Sequence, residues 1–335
     1  MQMPVGTSDA ITPVQSFASS DNPAEIVAAL NATLDPSCGK NLVIAVQTHA
    51  TQAPTLTLVV HHLIADGVAL ALLGGDLQQT YASPGTQWPR SDDRYLTFAK
   101  QASTACDNLP SDQISAWGEH IAEPLRLPYS GEAETDTYRH EQSLQRQVAL
   151  TSLSQKETQL HEHLAVGLYR AVAAWTEQHA PLLALRHHGR TGLAAEYHDV
   201  VGWFSCDIPL KLKLAADHNA MIEQFKQSYA DLPAALSYTQ AAITGQLPVL
   251  SSVAPIRFNY QPAGLGGQHG TTSLHQEASE EREYALDLIA RVQSEQLLII
   301  ARFGRNHQPD EVAALLDRWL SHCQITASDG AKTHE

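Results

Sequence analysis

The sequence predicts an α/β protein with mixed sheets, and three observations carry that expectation. Short runs of apolar and β-branched residues, such as Leu56 to Val60, alternate with stretches at helical spacing, such as Leu160, Leu164, Leu168 and Val172. The 335 residues, 43% of them hydrophobic, suffice for one large or two medium domains with real cores. No internal repeat or low-complexity block points to a solenoid or a linker-rich chain.

In chain order, residues up to about Asn22 are polar and rich in Pro, Ser and Thr, which predicts a flexible lead or the remains of a strand. A helix is expected over Pro23 to Leu34, an alternating strand over Asn41 to Thr48, and a core strand, covered on both faces, over Leu56 to His62. Val68 to Tyr81, mostly Leu and Ala, returns to helical spacing. Helices follow at Tyr95 to Ala105 and around Ser111 to Ala122, and Glu132 to Asp136 reads as an acidic, turn-like boundary. The second half opens on a long strand, His140 to Leu150, then a helix within Ser152 to Gln178. Strands near Leu182 to His187 and Phe204 to Leu214 come next, with a helix at Asn219 to Asp231 and a strand at Ile256 to Tyr260. After a Gly-rich loop at Gly264 to Gly270, Tyr284 to Val292 and Gln296 to Phe303 form a hairpin around Gln293-Ser-Glu295. An amphipathic helix from Asp310 to Cys323 closes the chain.

Composition excludes several classes. A formal net charge of −15 argues against nucleic acid, because neutralising phosphates needs a basic face. The lysines at 211, 213 and 226, or Arg302 with Arg305, are the local basic clusters that suggest a docking patch. Cys38, Cys106, Cys206 and Cys323 lack metal-ligand or disulfide-framework spacing, and there is no Walker or dinucleotide glycine pattern, so neither a metal nor a nucleotide cofactor is expected. No stretch reads as a membrane span or a signal peptide, so the default location is the cytoplasm.

The chemistry-bearing stretch is His61-His-Leu-Ile-Ala-Asp-Gly67, at the end of the Leu56 strand. Neighbours on an extended chain point to opposite faces, so one histidine is a candidate base facing a cleft and the other a prop packed inward. From spacing alone a second reading stays open: satisfied histidines at a strand end, followed by an ordinary Asp-Gly turn.

The stretch matches HHxxxDG, and so resembles the condensation and epimerization domains of nonribosomal peptide synthetases, which share the chloramphenicol acetyltransferase fold. Three further segments agree in order. Arg186-His-His-Gly-Arg190 followed by Val201-Gly-Trp-Phe204 is similar to the family's HGR segment and GWF strand; Pro255-Ile-Arg-Phe-Asn-Tyr260 resembles the FNY segment of the epimerization branch; and Phe303-Gly-Arg-Asn306 falls where that branch has a Tyr-Ser-Arg-Asn-like turn. The likeness runs from about Ile26 to about Cys323.

The resemblance implies a two-lobe, acetyltransferase-like architecture. Residues 1–22 would be the flexible lead, 23–135 a shortened N-terminal lobe, 136–325 the C-terminal lobe and 326–335 a disordered tail. Because a larger N-terminal portion precedes the motif in the family, the chain is expected to be a fragment, a reduced free-standing relative, or a piece completed by an upstream polypeptide. The resemblance also implies that His62 faces the substrate tunnel as base or positioning group, with His61 as support. Asp66 would pair with Arg190 to fix the turn, and Gly67 would keep a side chain out of the tunnel. Arg186, His188, Trp203, Asn259 and Tyr260 are candidate channel residues, although core packing is the more ordinary fate of Trp203.

The implied reaction is acyl transfer to an amine, both substrates arriving on phosphopantetheine arms of carrier proteins with no directly bound cofactor. Epimerization of the tethered residue is the alternative. In that branch a glutamate two residues before the HGR histidine serves as the second acid or base, and here Arg186 stands there; a guanidinium cannot exchange protons near neutrality. Glu196 is close enough in sequence to be considered as a substitute. A carrier-docking scaffold without chemistry is the third possibility.

Overall fold

The structure, a computed structural model, describes residues 14–87, 93–107, 109–128, 136–150, 159–190, 197–230, 232–263, 276, 278–293 and 295–323. It divides into two compact units: Met1–Leu70 with Val201–Trp203, and Ala71–Val200 with Phe204–Glu335. The expected lobe boundary at 135/136 therefore does not coincide with the division, which places all of 71–135 in the second unit. The tail expected at 326–335 lies outside the described residues.

The first unit contains β1 (Val14–Phe17), α1 (Pro23–Asn31), β2 (Leu42–Gln47) and β3 (Thr55–Val60). Asn22 caps α1 through its side chain, which accepts from Ala24 N, and Pro23 sits in the first turn, where its missing N–H costs nothing. Ile26 and Leu30 of α1 are buried with Val43 and Ala45 of β2. The sheet order is β1-β2-β3, with β1 parallel and β3 antiparallel to β2.

Two expectations change here. Of the stretch expected to be a flexible lead or the remains of a strand, Val14–Phe17 is strand rather than lead: it is β1, in register with β2 from Val14↔Ile44 to Phe17↔Gln47. The strand expected to be covered on both faces is the outer strand of a three-stranded sheet, and Leu56 is 46% exposed. Its apolar run does not mark a central position, since among the described residues β3 pairs on one side only.

Helix α2 (Gly67–Ala82) begins in the first unit and runs into the second. The second unit continues with α3 (Arg94–Asp107), α4 (Ser111–His120), β4 (Gln142–Ala149), α5 (Leu160–Thr176), β5 (Leu183–His187) and β6 (Cys206–Leu210). It ends with α6 (His218–Ala230), α7 (Leu232–Ile243), α8 (Leu250–Val253), β7 (Ile256–Gln261), β8 (Leu286–Gln293), β9 (Gln296–Phe303) and α9 (Pro309–His322). The sheet order is β4-β9-β8-β7-β5-β6; β7 runs parallel to both β5 and β8 and the other pairs are antiparallel, so the sheet is mixed as expected.

The long helices α5 and α9 belong to the core of this unit: Trp319 is fully buried and its Nε1 donates to Leu164 O at 2.8 Å. A Cβ on Gly167 would overlap Cys323 Sγ, so that approach requires glycine.

Helices α7 and α8 go beyond the expected elements. The inner face of α7 carries polar residues, which blurs the hydrophobic period by which helices are recognised. Ser237 accepts from Trp117 Nε1 at 2.9 Å and Gln240 donates to Ala102 O at 3.1 Å, so both are buried but satisfied. Among the described residues no helix is long and apolar enough to cross a membrane.

Candidate active site

His61 and His62 follow β3 rather than belonging to it, and lie in the turn that leads into α2. His61 is half-buried; its backbone N–H donates to Asn41 O at 2.8 Å and its Nδ1 accepts from Leu63 N at 3.1 Å. His62 is exposed, with Nδ1 2.7 Å from Ala65 O. A carbonyl oxygen only accepts, so Nδ1 carries the proton and, in the neutral ring, Nε2 is the basic nitrogen. Nε2 has no protein partner among the described residues, and the ring lies flat against Trp203, centroids 4.9 Å apart at 3°. The turn thus offers one oriented base.

Asp66 is 1% exposed and caps α2: Oδ1 accepts from Ala69 N at 2.9 Å while its backbone carbonyl accepts from Leu70 N. The helix N-terminus, with its unpaired N–H groups and positive end, meets the buried carboxylate. Asp66 N donates to Gly202 O at 3.4 Å, which ties the turn to the Val201–Trp203 segment. Arg190, the expected partner of Asp66, falls in the other unit.

A Cβ at Gly67 would meet nothing within 4 Å, so no packing contact demands glycine there. Gly67→Ala is expected to leave thermal stability equal or up to about 1 kcal/mol higher, because alanine restricts the unfolded chain. A fall in turnover without a fall in melting temperature would then report a substrate passing over this turn.

In the second unit, Gly189 has φ +71°, and its Cα faces the Phe204 carbonyl so closely that a Cβ would overlap the oxygen. Arg190 is 2% exposed; it donates to His188 O at 3.2 Å and Val200 O at 3.3 Å and stacks over the Phe204 ring at 4.4 Å. Arg186, on β5, lies opposite Asp207 on β6 and forms a two-point ion pair with it at 2.7 and 3.1 Å. Tyr284 donates to the same carboxylate at 2.9 Å, so the carboxylate that holds this guanidinium is itself anchored within the unit. The expected basic patch is partly committed as well: Lys226 pairs with Glu223 at 2.9 Å and Lys211 with Glu123 at 3.5 Å.

His188 stacks on His187 at 4.7 Å, His187 meets Tyr229 at 4.3 Å, and Tyr229 meets His161, which stacks on Tyr260 at 4.8 Å. The Tyr260 ring packs in this aromatic group, while Asn259 is half-buried in β7 opposite Ile289. The group has no signal in the sequence as a unit, because its members come from four elements far apart in the chain. Glu196, the considered substitute acid, lies outside the described residues.

Burial, reinforced by the neighbouring His188, pulls the His187 pKa from 6.5 down to about 4. The unfolded chain takes this proton as pH falls below 6.5, while the folded chain holds out to about 4. Stability is therefore lost on acidification through that window, by at most about 1.4 kcal/mol per pH unit from this group. Urea unfolding at pH 7 and pH 5 should show the loss, and His187→Phe should make it smaller.

The family described as Condensation domain matches residues 18–334 of this chain. Tyrocidine synthase 2 of Brevibacillus parabrevis is 26% identical over 308 residues, which is 80% of this chain and 8% of that protein. Bacitracin synthase 2 of Bacillus licheniformis is 24% identical over 325 residues, 85% of this chain and 12% of that protein. The chain thus spans a small fraction of these relatives. Among solved structures, the epimerization domain from the third module of tyrocidine synthetase B is similar with a TM-score of 0.74 at 19% identity, covering 95% of this chain and 80% of that one. The starter condensation domain of rhizomide synthetase gives 0.66 at 16% identity, covering 94% and 77%. At these identities the structural likeness establishes the fold.

Proposed function

Because the chain belongs to the condensation-domain family, we propose that it transfers an aminoacyl or peptidyl group from a carrier-bound thioester to an amine, forming an amide. The amine nitrogen attacks the thioester carbonyl and His62 Nε2 takes its proton. The C–S bond then breaks, and the departing thiolate recovers a proton from the imidazolium. The phosphopantetheine arms belong to the carrier proteins, which makes them part of the substrates, and the reaction is assigned to the cytoplasm.

The observation that carries the reading is the orientation of His62: Nδ1–H is committed to Ala65 O at 2.7 Å, which leaves Nε2 as the basic nitrogen of an exposed side chain. Asp66, as cap of α2, and His61, through Leu63 N, hold the turn that presents it. Incubating the full chain with an aminoacyl-loaded carrier protein and a second carrier bearing an acceptor amine tests the proposal. A new amide-linked product by mass supports it, and intact thioesters across a panel of aminoacyl groups contradict it.

Epimerization is the second reading, favoured by the Asn259-Tyr260 segment. The two-point pair of Arg186 with Asp207 weighs against it, since a guanidinium locked at that position is no exchangeable acid or base.

A further inference from the structure

A base held by one hydrogen bond can still swing about that bond, and the structure adds a second constraint on His62. The flat face of Trp203 lies parallel to the imidazole, at 4.9 Å and 3°. A parallel stack fixes the plane of the ring while leaving its Nε2 edge open. It also sets the electron-rich indole face against the positive charge that develops when the ring takes a proton.

Trp203 is held in turn by its chain. Val201–Trp203 groups with the first unit, whereas Val200 and Phe204, which bracket it, group with the second. Arg190 grips both brackets, donating to Val200 O at 3.3 Å and lying 4.4 Å over the Phe204 ring. Gly189 lets the backbone approach the Phe204 carbonyl, and Phe204 is embedded in an aromatic cluster with Tyr95, Phe98 and Tyr197. At the tip, Gly202 O accepts from Asp66 N at 3.4 Å, next to the stack.

We infer that Trp203 is a positioning residue for His62, and that Arg190 acts through it by holding both ends of the Val201–Trp203 segment. The inference rests on the reading of His62 as base. It gives the HGR and GWF segments one shared task, orienting the imidazole, carried by the peptide chain from Val200 to Phe204. An ordinary packing tryptophan would tolerate any apolar side chain of similar size; a stacking partner tolerates only another aromatic ring.

The test uses the full chain, 15N-labelled in its histidines, with wild type, Trp203→Leu, Trp203→Phe and Arg190→Lys compared. In the wild type the His62 imidazole signals should report the Nδ1–H tautomer. Trp203→Leu and Arg190→Lys should average the two tautomers, while Trp203→Phe should keep the wild-type pattern. With the aminoacyl carrier pair that gives most amide, Trp203→Leu should lower kcat by about tenfold to a hundredfold with KM unchanged, and Trp203→Phe should recover most of the loss.

Wild-type signals or wild-type turnover in a folded Trp203→Leu chain overturn the inference. If Trp203→Leu does not fold, a Trp203→Phe chain that has lost the tautomer, or an Arg190→Lys chain that keeps it, overturns it equally. An inactive His62→Ala beside a Trp203→Leu chain with wild-type behaviour removes the positioning role alone. A fully active His62→Ala removes the base reading and the positioning role together.

Discussion

His62→Ala is expected to lower the rate of amide formation by about 10²–10⁴-fold, the usual contribution of a positioned general base. The loss should fall on kcat, because the imidazole acts on a proton in flight and the thioesters are held by other groups. His62 is exposed and the carbonyl it contacts is a turn carbonyl, so the variant should melt close to wild type. Thermal unfolding and single-turnover product formation, measured on the same preparation, separate a lost base from a lost fold. His61→Ala makes the comparison sharper. It removes the Nδ1 acceptor of Leu63 N but no base, so it should loosen the turn and cost less turnover than His62→Ala.

The largest effect on the fold is expected from Gly189→Ala. The backbone there has φ +71°, where an L side chain is strained by about 1–2 kcal/mol, and the new Cβ would overlap Phe204 O and lie 2.6 Å from Phe204 C. The obstacle is backbone, so it cannot rotate away. Either Gly189 or the strand entry at Phe204 must shift, and with it the Arg190 guanidinium that stacks on Phe204. A loss of more than about 3 kcal/mol in urea unfolding is expected, in the range reserved for backbone strain combined with core clashes. Gly67→Ala is the contrasting control, because the added methyl there meets open space.

Much of this is legible in the sequence. Amphipathic spacing locates α5 and α9, and turn chemistry locates the entry to α2, because those signals are local. The environment of each element is less legible. The apolar run at Leu56 to Val60 reads as buried on both faces, yet whether a strand is central or outer depends on pairing with residues elsewhere in the chain. The alternation argument for His61 and His62 assumes an extended backbone, and both residues lie past Val60 in a turn. What distinguishes them is that one Nδ1 meets an N–H and the other a carbonyl, a detail of turn geometry. Arg186 is recognisable as breaking a proton-transfer pair, but its commitment to Asp207 depends on the β5–β6 register. The flat contact of Trp203 with His62 joins residues far apart in sequence and has no local signal at all.

Acyl transfer and epimerization differ most directly in what happens at the α-carbon of the tethered residue. The decisive measurement is product mass and chirality after reaction in deuterated water, with both the loaded carrier protein and the acceptor amine supplied. Acyl transfer by His62 predicts an amide product whose α-carbon carries no solvent deuterium and keeps its configuration, with none formed by His62→Ala. Deuterium at an inverted α-carbon without amide formation would contradict it.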